Sequence, residues 1–154
     1  MTITNVSKAV DARLKALQVN IEGTDYDVFV DVLDYPQDSS DAFSGYPSCT
    51  HFYRETQSDY STVTENRRTI NYDIFFYVRS PNKTLQQLYQ EAYLITDAIL
   101  NDFDKTSDLL LDGDVVADFV IPVPGILARE DTTDGLTLIG SVGLQLMGDV
   151  DVIE

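Results

Sequence analysis

The sequence predicts an α+β fold: a mostly antiparallel sheet with a long β-hairpin and helices packed on one face. Two stretches, near residues 4–17 and 84–103, carry apolar residues at three- and four-residue steps, the helical period. Three others, near residues 24–33, 67–80 and 135–153, alternate apolar and polar residues, the strand period. The resulting order is helix, strand, long loop, hairpin, helix and two strands, which lays the helices over one side of a sheet.

The first helix starts at a cap supplied by Thr4 or Asn5 and gathers Val6, Val10, Leu14 and Leu17 on one face. "TDYDVFVDVL" then reads as a strand with Tyr26, Val28, Val30 and Val32 to one side and Asp25, Asp27, Phe29 and Asp31 to the other. Pro36, Gly45 and Pro47 punctuate a long loop over residues 34–48 that contains two Tyr-Pro pairs. A short strand around "CTHFYRE", a polar tip over residues 56–66 and "RRTINYDIFFYVRS" form the hairpin. In its second strand Ile70, Tyr72, Ile74, Phe76 and Val78 share one face, while Phe75 and Tyr77 make the other face apolar too. Apolar residues on both faces suit a central strand or one covered by a partner.

Thr84 and Gln87 have the spacing of a capping box for the second helix, with Leu85, Leu88, Tyr89, Ala92, Thr96, Ile99 and Phe103 as its stripe. "DVVADFVIPVPG" reads as a strand stopped by Pro122 and Pro124. The last strand puts Leu138, Gly140, Val142, Leu144 and Leu146 on one face, its glycines marking a bulge or a close backbone approach.

A chain of 154 residues suits one domain, 1–154, and is 44% hydrophobic, enough to build a core without staples. A single cysteine makes no internal disulfide and fits a reducing compartment. Residues 1–17 lack the apolar segment of a secretory signal, and no apolar run approaches the roughly 18–20 residues that span a bilayer. The chain is therefore expected to fold in the cytoplasm. Net charge is −16, from 26 acidic and 10 basic residues, which argues against wrapping nucleic acid or lying on an anionic membrane. Aspartate outnumbers glutamate 20 to 6 and gathers where elements end.

Cys49 and His51 are the only residues of their kinds. On a strand they share a face roughly 6.5–7 Å apart, too far for a thiolate–imidazole hydrogen bond. No second histidine and no nucleophile elbow accompany them, so the pair reads as hairpin and no catalytic residue is assigned. One Cys and one His do not make a zinc site. "DFDKTSDLLLDG" fails as an EF-hand at Ser107 and Gly113, leaving Asp112, Asp114 and Asp118 as a solvated acidic turn, with a looser calcium site as the competing reading; no metal or cofactor is assigned. Arg54, Arg67 and Arg68 near the hairpin base are candidates for inter-subunit salt bridges, with Glu55, Glu65 and Asp73 of the same sheet as the competing partners.

The short N-terminal helix, strand, Tyr-Pro loop, long hairpin "TENRRTINYDIFFYV" and helix "KTLQQLYQEAYLITDAILNDF" resemble the tail-terminator (tail-completion) proteins of long-tailed bacteriophages over residues 1–147. The resemblance implies a structural virion protein, assembled in the host cytoplasm and located at the head-proximal end of the tail. It implies a homo-hexameric ring that ends polymerisation of the tail tube protein and presents a docking surface to a head-completion or neck protein. DNA passes through without specific binding, and no membrane, cofactor or catalytic residue is involved. The arm at 56–66, with Tyr60, and the 34–48 loop, with Tyr35 and Tyr46, are then the candidate contacts, beside Arg54, Arg67 and Arg68. Phe75 and Tyr77 are expected to be covered by a neighbour. The competing classes are another neck or minor tail protein, a small enzyme using Cys49, and an acidic binding module that occupies a basic partner.

Overall fold

In a computed structural model the protein is described over residues 1–36, 43–60, 65–104, 108–132 and 135–151. Among these residues, five strands form the main sheet in the order β3-β4-β5-β9-β8: β3 (Asp31–Leu33), β4 (Ser48–Tyr60), β5 (Glu65–Val78), β8 (Phe119–Thr132) and β9 (Gly135–Asp151). All pairs are antiparallel except β3 with β4. Two small hairpins stand apart from it, β1 (Gln18–Ile21) with β2 (Thr24–Asp27), and β6 (Leu109–Leu111) with β7 (Asp114–Ala117). Helix α1 (Ile3–Ala16) contacts β3 and β4, and α2 (Leu85–Asp104) contacts β5, β8 and β9. The α+β arrangement with helices on one side is the one the periodicities predict.

The central strand is β5, and its pairing with β9 lays down the core. Ile70 faces Leu146, Tyr72 faces Leu144, Ile74 faces Val142, Phe76 faces Gly140 and Val78 faces Leu138. Every one of these side chains is buried, in a row that matches the alternation read from both strands. Against this floor α1 places Val6, Ala9, Val10 and Leu14, and α2 places Leu88, Ala92, Ile95, Ile99 and Phe103. Leu85 in the first turn of α2 is instead exposed, and Ile95 joins the stripe.

Local chemistry explains the boundaries. The capping box of α2 forms as spaced: Gln87 N donates to Thr84 Oγ1 at 3.3 Å and Thr84 N donates to Gln87 Oε1 at 2.9 Å. The cap of α1 is Thr2 and not Thr4 or Asn5; its hydroxyl accepts from Asn5 N at 3.2 Å, one turn upstream of the expected start.

Three expectations need correction. Residues 24–33 are not one strand, because β2 belongs to a separate hairpin and β3 to the main sheet. Val28 and Phe29 are both buried in the crossing, while Tyr26 and Val30 are exposed, so the alternation does not hold. The hairpin strands are far longer than "CTHFYRE" suggests: pairing runs to Tyr60 and Asn66, so most of the supposed polar tip is strand, and residues 61–64 lie outside the described set. "DVVADFVIPVPG" is not one strand, because β7 belongs to a small hairpin and β8 to the main sheet. Pro122 and Pro124 do not stop β8, which continues past them to Thr132. They are tolerated because β8 is an edge strand, with a register shift just after Pro124.

The helix-side row contains one small residue where the others are large. A Cβ at Gly140 would lie 2.1 Å from Phe76 Cζ, so the ring fills the place of the missing side chain. Gly140→Ala is expected to lower unfolding free energy by about 1–3 kcal/mol, the usual range for overpacking. Urea denaturation of Gly140→Ala, Phe76→Leu and the double variant checks the cause. The double variant should lose less than the sum of the two single losses, and additive losses would place the strain elsewhere.

Candidate functional site

The Cys49–His51 pair lies on the helix side of β4, fully buried. Both nitrogens of His51 are engaged: Nε2 is 2.8 Å from Asp11 Oδ1 and Nδ1 is 2.5 Å from the Tyr72 hydroxyl. Asp11 also meets Lys15 Nζ at 2.6 Å, and Ser7 Oγ lies 3.2 Å from the Tyr72 hydroxyl. A carboxylate accepts only, so Nε2 carries the ring proton and Nδ1 accepts from Tyr72. The chain Ser7–Tyr72–His51–Asp11–Lys15 thus ties α1 to β4 and β5.

Burial dominates the electrostatics here. It pushes the His51 pKa below 6.5 against the opposing pull of Asp11 and Asp34. Burial also works to raise Asp11, but Lys15 and His51 outweigh it and hold the carboxyl below 3.8. Tyr72 is pushed up to about 12 by burial. The Cys49 thiol is pushed far above its ordinary range by burial and then by the charge of Asp11. A thiol so placed supplies no thiolate near neutral pH, and His51 is committed to other partners. Neither Asp11 nor Ser7 was singled out from the sequence; their i, i+4 spacing on α1 places both over β4 and β5.

Among the described residues no helix packs over the opposite side of the sheet. Phe52 of β4 and Phe75 of β5 stack there, ring centroids 5.5 Å apart and planes within 6°. Phe119, Ile121 and Val123 of β8 project to the same side, paired with Met147, Gln145 and Gly143, and all three are exposed. Between Phe75 and Val123 runs a groove of about 200 Å³, floored by Ser141 and Gly143. Arg54 flanks it. The register skips from Tyr53 to Glu55, so Arg54 is the extra residue of a bulge, and its Nε lies 3.3 Å from Asp73 Oδ2.

The other residues proposed from the sequence are scattered around this face. Arg67 is exposed and 3.9 Å from Asp149, whereas Arg68 points to the helix side, where its Nη1 donates to Met1 O at 3.4 Å. The three arginines therefore form no cluster, because Arg67 and Arg68 are neighbours on one strand and must face opposite ways. Tyr77 packs on Phe43 of the same chain at 5.2 Å, so that side chain is already covered and Phe75 alone of the pair borders the groove. Tyr46 meets Phe43 edge-on at 5.9 Å and carries the Arg79 guanidinium 5.2 Å above its ring. Tyr35 is exposed. Tyr60 ends β4 opposite Asn66, and its side chain lies outside the described set. Phe119, Ile121 and Val123 went unnoticed, although their two-residue spacing is in the sequence, because the prolines between them read as a stop.

Among the described residues no three His, Cys, Asp or Glu side chains gather closely enough to hold a metal ion, and no helix is long and apolar enough to cross a membrane.

His51 is the chain's only histidine, so it is the one imidazole that links stability to pH near neutrality. Its folded pKa lies below its unfolded value, so the unfolded chain binds the proton first and stability falls as pH drops below 6.5. Urea midpoints should decline between about pH 7.5 and 5.5 and stay flat over that span in His51→Phe. Parallel slopes in the two proteins would remove His51 from the account. The contribution of Asp11, whose pKa is depressed, is present above 3.8 and lost below it.

No known protein family and none of the curated proteins compared gives a significant match to this chain.

Proposed function

We propose that the chain is a structural subunit of a phage particle, a tail terminator that assembles as a hexameric ring on the end of the tail tube and meets the head through a neck or head-completion protein. The observation that carries this reading is the uncovered outer side of the main sheet. A Phe52–Phe75 stack and the exposed row of Phe119, Ile121 and Val123 lie together on a rigid five-stranded platform. A contiguous apolar surface on a folded domain marks a contact with another protein. No catalysis is assigned to the chain: its one cysteine is buried as a neutral thiol and its one histidine is spent on joining α1 to the sheet. The charge of −16 supports the same reading, because a ring through which DNA slides must not grip phosphates.

Like-charged subunits repel, and salt screens that repulsion over roughly a Debye length of 8–10 Å. Native mass spectrometry across a salt series should show a species six times the 17.2 kDa chain mass, favoured as salt rises. Ile121→Asp and Val123→Asp, at side chains the fold leaves exposed, should shift the population to monomer by about tenfold or more while melting like the parent. Mixing the parent with growing tail tubes should arrest them at fixed length. A chain that stays monomeric at every salt and leaves tube length unchanged is not a terminator.

A further inference from the structure

The β1–β2 hairpin is amphipathic, and the rest of the chain leaves its apolar face open. On one face Gln18 Nε2 donates to Asp27 Oδ1 and Asn20 Nδ2 donates to Asp25 Oδ1, each at 3.0 Å. On the other, Val19 pairs with Tyr26, and Ile21 follows. Tyr26 is 51% exposed and Ile21 48%. Across from them α2 presents Leu94, 46% exposed. A gap of about 370 Å³ separates the hairpin from the helix, walled by these residues with Val28 and Ile95. Beyond Val19 and Leu94 a second trough of about 300 Å³ continues along α2 past Asp97 and Asp102.

The charges around this gap are mostly acidic. Asp27 and Glu91 line it, Asp97 extends it along the helix, and Glu22 and Asp25 stand on the hairpin itself. Lys83, the cation in the lining, is tied to Glu91 at 2.6 Å. Arg13, near the far end, is likewise tied to Asp102 at 3.1 Å.

We infer that the gap between β1–β2 and α2 is a docking site for a segment of a partner protein that carries a few apolar side chains beside Lys or Arg. The walls select apolar side chains, since a lone two-stranded hairpin with a wet apolar face is marginal in water and gains from a cover. The rim selects the sign of the charge. A second copy of this chain, at −16, is the wrong occupant for an acidic rim. The inference does not rest on the ring: that contact is placed on the sheet's outer side, and it is read by mass and not by ligand binding.

The probe is a short synthetic peptide alternating leucine and lysine, titrated into the isotope-labelled full chain and followed by amide shifts. Versions with glutamate for lysine and with serine for leucine run alongside. Saturable shifts confined to β1, β2 and the stretch of α2 around Leu94, seen with the leucine–lysine peptide alone, are expected. Leu94→Ser and Tyr26→Ser should each weaken binding about tenfold or more, the loss that follows one large apolar contact, while Leu110→Ser on β6 leaves it unchanged. Equal binding of the serine peptide, shifts spread over the acidic surface, or unchanged affinity in both Leu94→Ser and Tyr26→Ser would overturn the proposal. So would a fall in the oligomeric mass of Leu94→Ser without peptide, which would make a second copy the occupant.

Discussion

Phe76 lying across Gly140 is the contact on which the rest of the sheet depends. From Ile70 to Val78 every helix-side pair of β5 and β9 except this one sets one full side chain against another, so within that stretch it is at Gly140 that a ring has room to fold over its partner. A slip of one residue would turn the whole row outward, and a slip of two would drive the ring into Val142 or Leu138. With that register held, Tyr72 falls where its hydroxyl reaches His51, and α1 gains its polar tie to the sheet. The same register sets the opposite face, because it brings Ser141 and Gly143, two small residues, opposite Phe75 and Asp73. The floor of the outer groove and the floor of the core are therefore two sides of one pairing.

Much of this was legible in the sequence, and what was not has physical reasons. The rows of β5 and β9 and the cap of α2 follow from period and spacing, which depend on neighbours in the chain. The two small hairpins were missed, although a turn was read at Asp112 and both tips carry a residue with glycine after it. Glu22 and Gly23 have φ of 52° and 86°, and Asp112 and Gly113 have 52° and 87°. Both central residues are positive, as in the tight two-residue hairpin turn, and Asp-Gly is its strongest signal. In residues 24–33 an unbroken alternation hid the point where the chain leaves one sheet for another. The Asp11–His51 tie spans 40 positions, and no local pattern announces such a contact. Asp73 was among the partners the sequence offered the arginines, but that Arg54 is the one to take it follows from the bulge, since an extra residue shifts every later side chain to the other face.

The two open apolar surfaces differ in the chemistry around them, and that difference assigns them different kinds of occupant. The outer side of the sheet carries apolar side chains on four strands, with its flanking arginines already answered by Asp73 and Asp149. Such a surface suits a large, shape-matched contact whose strength comes from excluded water and which salt assists by screening net charge. The gap beside α2 is narrow and rimmed with carboxylates, and suits a small insertion whose strength falls as salt rises.

The edges of the sheet determine how any association through its outer side must proceed. A five-stranded sheet with an exposed apolar face would be prone to growth by strand addition if its edges were free. Here one edge is β3, three residues long, which pairs with Ser48–Thr50 and leaves the rest of β4 as edge, and the other is β8, which carries Pro122 and Pro124 and shifts in register after them. Proline offers no N–H to an incoming strand, and a short edge offers few groups of any kind. Main-chain pairing is disfavoured along β3 and at the prolines of β8, and there any contact falls to side chains across the face. Side-chain contact fixes orientation more narrowly than a ladder, which can slide by two residues at little cost. Association through faces can close on a fixed number of copies, whereas association through open edges adds strands without limit.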